Sequence, residues 1–151
     1  MMSKSKKADE SKFKIMIVED EEPGLKELVE LLEESYDIIT ATDGDKALQY
    51  ILAMEDPKEI STIICDQKMP VLTGTEFLSI INEKKLMPNT KFILITGYYD
   101  KESLISAINQ AHIYFFVEKP FDADKFRSMV KEAVAAYYMS NTTDIFKNQL
   151  K

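Results

Sequence analysis

The chain has 151 residues, a single cysteine and a formal net charge of −7, from 26 acids against 19 lysines and arginines. That length suits one domain with a full hydrophobic core, Cys65 alone excludes an intramolecular disulfide, and the acidic balance argues against direct binding to a nucleic-acid backbone. No apolar run is long enough to span a bilayer, and the polar, lysine-rich start from Met1 to Lys14 is not a secretory signal, so a cytoplasmic protein with no membrane contact is expected.

Residues 1–12 are rich in Lys, Ser, Asp and Glu without periodicity and are expected to be a disordered leader. Phe13-Lys14-Ile15-Met16-Ile17-Val18 reads as a first strand ending at Glu19-Asp20-Glu21-Glu22. Pro23 suits the first turn of a helix, and Leu25, Leu28, Val29, Leu31 and Leu32 then recur at helical spacing. Tyr36 to Ala41 is a short second strand. Asp43 is placed to cap a second helix with Ala47, Leu48, Ile51 and Leu52 as its apolar stripe, and Pro57 closes that unit.

A β-branched run, Thr62-Ile63-Ile64, predicts a buried third strand that stops at a single carboxylate, Asp66. Pro70 and Gly74 mark the loop after it, and a helix around Thr75–Lys85 turns Phe77, Leu78 and Ile81 inward, with Pro88 ending it. Lys91 to Ile95 is a fourth strand stopping at Thr96-Gly97. Asp100 caps a helix carrying Leu104, Ile105, Ala107 and Ile108. Ile113 to Val117 is a fifth strand that ends at Glu118-Lys119-Pro120. Asp122 opens a last helix with Phe126, Met129, Val130, Ala133, Val134 and Tyr137 on its buried side; Asn141-Thr142-Thr143 ends it, and Ile145, Phe146 and Leu150 form one more short amphipathic turn.

Five strands alternating with five helices predict an α/β domain whose parallel sheet is covered on both faces. Right-handed crossovers then bring every strand's C-terminal end to one edge. If the strand order is 2-1-3-4-5, Glu19, Asp20 and Asp66 face each other at the switch point, flanked by Thr96 and Lys119. Crowded carboxylates must protonate or recruit a cation. Their hard oxygens, with no histidine or thiol among them, favour Mg²⁺ over zinc. Glu19 and Asp20 suit the metal, while Asp66 can be both ligand and nucleophile toward a phosphoryl group. Lys119 would neutralise charge on the transferred group, and the Thr96 hydroxyl would bond one of its oxygens. Each residue alone has a plainer reading, as a strand end, a solvated helix N-terminus or a surface lysine; their joint occurrence at four strand ends carries the signal. His112 is expected at a helix end rather than in a catalytic role. The glycines never cluster, and no Gly-rich phosphate cradle is present.

Val18-Glu19-Asp20-Glu21, Asp66-Gln67-Lys68-Met69-Pro70, Thr73-Gly74, Thr96-Gly97 and Lys119-Pro120-Phe121 together resemble the receiver domain of bacterial two-component response regulators, over roughly Phe13 to Tyr138. The resemblance implies a flavodoxin-like, doubly wound (βα)5 fold with a five-stranded parallel sheet in the order 2-1-3-4-5. It implies Asp66 as phosphoacceptor, Glu19 and Asp20 as the Mg²⁺ acids, Lys119 as the phosphoryl-binding lysine, Thr96 as the switch hydroxyl and Phe116 as the switch aromatic. It also implies a cis bond at Lys119-Pro120 and a metal contact from the Lys68 carbonyl. Three departures stand out: Glu19 replaces the commoner Asp, Phe116 lacks a hydroxyl, and His112 stands where glycine is common.

On this reading residues 13–139 are the receiver and 140–151 a tail or the start of a linker. A sensor histidine kinase or a phosphotransfer protein supplies the phosphoryl group, as in phosphorelay signal transduction. The chain accepts and later loses that group as a switch rather than a turnover enzyme. The output, a domain or partner protein, is read from the surface of the helix after Asp100, the fifth strand and the last helix; the resemblance also allows a homodimer. The chain is expected to be either a stand-alone receiver or part of a longer regulator. Two rivals are an aspartyl-phosphate phosphohydrolase, disfavoured because Lys68 occupies the position of its second acid, and a phosphorylation-independent interaction module, disfavoured by the intact set of acids, Thr96 and Lys119.

Overall fold

The structure, a computed structural model, describes residues 12–97 and 111–150, with 143–150 as backbone. In chain order the elements are β1 (Lys14–Val18), α1 (Glu22–Leu32), β2 (Asp37–Ala41), α2 (Gly44–Ala53), a 3₁₀ turn (Pro57–Glu59), β3 (Ile60–Asp66), α3 (Gly74–Glu83), β4 (Lys91–Thr96), β5 (Ile113–Glu118) and α4 (Ala123–Leu150). The helix expected after Asp100 and residues 1–11 of the expected leader lie outside the described residues.

All strand pairs are parallel, and the order is β2-β1-β3-β4-β5, as the resemblance implied. β3 is the central strand and is buried along its whole length, which explains its apolar stretch Ile63-Ile64-Cys65; the buried Ser61 hydroxyl ahead of it donates to Lys14 O at 2.9 Å. Alternate residues feed two cores. Met16, Val18, Ile63, Cys65 and Leu94 face one side, against Ala47, Ile51, Phe77, Leu78 and Ile81. Ile15, Ile17, Ile64, Ile93 and Ile95 face the other, against Leu28, Leu32, Phe126 and Val130. The register pairs Val18 with Cys65, Asp66 with Ile95 and Thr96 with Glu118. Four strands therefore end level, and the next residues of β1 and β5, Glu19 and Lys119, come to the same edge.

Local chemistry sets the helix starts. Pro23 stands in the first turn of α1. The Asp43 carboxylate accepts from Lys46 N at 2.7 Å at the head of α2, and Asp122 accepts from Lys125 N at 3.0 Å at the head of α4. Three expectations shift. Leu52 is 55% exposed rather than inward, because α2 covers the margin of the sheet beside its edge strand β2 and its stripe narrows to Ala47, Leu48 and Ile51. α3 stops at Glu83, ahead of Pro88, because Lys85 turns left-handed at φ 54°. α4 does not end at Asn141-Thr142-Thr143; its backbone continues to Leu150. That segment holds no glycine or proline, and Asn or Thr costs only about 0.5–0.7 kcal/mol in a helix already nucleated. His112 does sit at a helix end, with φ 55°. Among the described residues no helix is long and apolar enough to cross a membrane.

Candidate functional site

β1 delivers Glu19 and Asp20, and the Glu19 amide donates to Ala41 O at 3.1 Å, so the chain stays fixed one residue past the strand. β3 delivers Asp66. β4 ends on Thr96, whose carbonyl accepts from Lys119 N at 2.8 Å, which ties the β5 exit to its neighbour. The Lys119-Pro120 bond is cis, as expected. Carboxylate oxygens of Glu19, Asp20 and Asp66 all lie within 4.8 Å of one another. Lys119 Nζ stands 3.1 Å from Asp66 Oδ1 and 3.9 Å from Glu19 Oε2. Asp20, Asp66, Lys68, Gly97 and Lys119 line an open cleft of about 510 Å³.

Glu19 is 2% exposed and Asp66 6%. Burial, and then the nearby Asp66 charge, push the Glu19 carboxyl up to about 7, against the opposing pull of Lys119 and the Glu21 amide. Burial also raises Asp66, partly offset by Lys119. Partial burial disfavours the Lys119 ammonium, but Asp66 and Glu19 outweigh it and hold its pKa above the usual lysine value. Among the described residues, buried Glu19 Oε2 and Asp20 Oδ1 have no hydrogen-bond partner. Buried acceptors of that kind are costly. Three close carboxylates, two of them with an orphaned oxygen, are a donor set that fits a hard divalent cation.

The loop after Asp66 is braced from the head of α3. Thr73 and Glu76 form a reciprocal capping box. The Gln67 side chain bonds Thr75 twice, accepting from Thr75 N at 2.8 Å and donating to Thr75 Oγ1 at 3.2 Å. Gly74 lets the two segments touch: a Cβ there would stand 2.6 Å from the Asp66 carbonyl oxygen. Sequence reasoning misses the Gln67–Thr75 clamp. A glutamine after a strand has no local signature, and its partner lies eight residues on.

The fold thus gathers Glu19, Asp20, Asp66 and Lys119 into one cluster. Thr96 is fully buried at the adjacent strand end, its hydroxyl donating to Gly97 O at 3.2 Å. Phe116 is not in the cluster. It is half-buried on β5, packed against the core beside Leu94, two residues back along the face that Thr96 ends. Chemically, the arrangement offers a shielded carboxylate with a cation 3.1 Å away and metal-ligand oxygens beside it, which suits attack on an electrophilic phosphorus.

A family model described as the response regulator receiver domain matches residues 15–131. The chain is 35% identical to the hydrogenase transcriptional regulatory protein HoxA of Cupriavidus necator, over 81% of this chain and 24% of that protein. It is 35% identical to the nitrogen assimilation regulatory protein NtrX of Azorhizobium caulinodans, over 79% of this chain and 26% of that one. A response regulator receiver domain structure from Clostridium thermocellum superposes with a TM-score of 0.74 at 28% identity, covering 83% of this chain and 97% of the other. The chain thus spans about a quarter of the length of these curated relatives.

Proposed function

The chain belongs to the response regulator receiver domain family, and from that premise we propose that Asp66 is its phosphoacceptor in two-component signalling. The observation that carries this reading is the placement of Asp66 at the end of the central strand, shielded from solvent, with Lys119 Nζ 3.1 Å away and two further acids within 4.8 Å. The receiver unit occupies 13–139, works in the cytoplasm, and takes its phosphoryl group from a sensor histidine kinase or a phosphotransfer protein.

Asp66 attacks the phosphorus of a phosphohistidine or small acyl phosphate; the new O–P bond forms as the bond to the donor breaks, and the donor leaves with the electron pair. Lys119 orients the transferred group and balances its charge. Glu19, Asp20 and Asp66 would hold Mg²⁺, whose charge offsets the negative charge of the transferring oxygens. Water later cleaves the acyl phosphate and restores Asp66. Thr96 gives up its bond to Gly97 O for a phosphoryl oxygen, and Phe116 follows by packing alone, because it has no hydroxyl. An output module or partner protein reads the result.

The test is incubation with acetyl phosphate and Mg²⁺, read by intact mass. One base-labile phosphoryl group is expected on the native protein and none on Asp66→Asn or Asp20→Ala, both folded. An adduct of equal yield on Asp66→Asn removes Asp66 as the acceptor.

A further inference from the structure

Gly24 sits in the first turn of α1, inside the helix, where glycine is less favourable than alanine. It is not there to turn the chain, since among the described residues no glycine has a positive φ. What it faces is Glu19. A Cβ at position 24 would stand 3.0 Å from Glu19 Oε1, 3.3 Å from Cδ and 3.4 Å from Cγ, and these are its three nearest neighbours. The carboxylate would have to shift by a few tenths of an ångström to admit it. Oε1 also accepts from Glu21 N at 3.3 Å. Oε1 is therefore held by a turn amide against a bare stretch of helix, and this fixes where Oε2, 3.9 Å from Lys119 Nζ, points.

We infer that Gly24 is a positioning residue for Glu19: the side-chain-free face of α1 makes room for an acid one methylene longer than aspartate and seats its carboxylate toward Asp20 and Asp66. An aspartate at position 19 would fall short of that face, so the requirement for glycine belongs to this chain's glutamate. Gly24 and Glu19 form a matched pair, and its consequence for Mg²⁺ rests on the metal reading proposed above.

A double-mutant cycle on the full chain tests this, using the native protein, Gly24→Ala, Glu19→Asp and the double variant. Two quantities are measured: the urea midpoint without metal, and Mg²⁺ affinity from amide chemical shifts. With Glu19 in place, Gly24→Ala should weaken Mg²⁺ binding about fivefold, a coupling typical of residues in contact. In the Glu19→Asp background the same change should alter affinity less than about twofold. Without metal, Gly24→Ala should raise the midpoint of Glu19→Asp, where the helix gain is unopposed, and leave the native protein's midpoint unchanged or lower. A purely structural glycine would change both backgrounds alike. An additive urea cycle overturns the assignment and leaves the metal reading standing. A non-additive cycle in a protein that takes up no Mg²⁺ upholds the assignment and removes the metal reading instead.

Discussion

Glu19, Asp66 and Lys119 make an arrangement whose parts favour different protonation states, and that gives the metal-free protein a pH signature. The Glu19 carboxyl lies at about 7 in the fold against an ordinary 4.5, so the folded state holds this proton more tightly than the unfolded chain. Its contribution to stability is full below pH 4.5 and is lost as pH rises through 7. Asp66 is shifted in the same direction. Lys119 is raised from an already high value and stays charged across that window. Metal-free protein should therefore lose stability between pH 4.5 and 7, by up to about 3 kcal/mol. Urea midpoints measured in chelator across this range check it. Glu19→Gln should flatten the profile and raise stability at about pH 8, above the folded-state value. If native and variant profiles run parallel, the buried Glu19 is not the source. Mg²⁺ should offset the loss, because it binds the deprotonated folded form.

Between β3 and α3 the chain turns from the central strand to a helix while holding Asp66 still, and two residues there carry opposite constraints. Gly74 is a contact point: a Cβ there would stand 2.6 Å from Asp66 O and 3.1 Å from Gln67 Cα, backbone atoms that cannot rotate away. Gly74→Ala should cost about 1–3 kcal/mol by overpacking, read by urea denaturation, and should slow phosphorylation because the Asp66 carbonyl must move. Val71 is the reverse case. It holds φ 71° with a β-branched side chain that is 93% exposed, so it meets backbone strain without compensating burial. Val71→Gly should stabilise by about 1 kcal/mol, with phosphoryl yield from acetyl phosphate unchanged. A loss of stability there would show that the left-handed backbone is relaxed.

At the scale of the molecule, a phosphoryl group can act only through contacts that differ between two states. Thr96 is buried at the end of β4, and Phe116 packs on β5 along the same sheet face. Moving a mixture from 1:99 to 99:1 needs about 5.5 kcal/mol of bias. One charge-assisted hydrogen bond supplies roughly 1.5–3 kcal/mol of it. Thr96→Ala should therefore accept phosphate yet transmit it weakly. Amide chemical shifts on binding a phosphoryl analogue check this: residues 97–117 should respond in the native protein and much less in Thr96→Ala. An equal response in both places the coupling elsewhere.

Strands and site were legible in the sequence for a common reason. A parallel strand covered on both faces is largely apolar, so the polar residues that end its apolar run mark the edge where ligands meet the sheet; Glu19, Asp66, Thr96 and Lys119 are among them. The caps by Asp43 and Asp122 were legible because both partners lie within one helical turn. The motif spacing, through its resemblance to receiver domains, also carried the strand order. What the sequence left open depends on partners remote along the chain or on small energies. Leu52 has the spacing of a core residue, but only the position of α2 at the margin of the sheet exposes it. Asn141-Thr142-Thr143 has weak helix propensity, yet a few tenths of a kcal/mol per residue do not end a helix that is already formed. Neither Gly24 nor Gly74 shows in sequence what it touches, although Gly74 belongs to the Thr73-Gly74 motif. Their purpose is to let backbone approach Glu19 and Asp66, and tertiary packing alone decides which atoms stand where a Cβ would go.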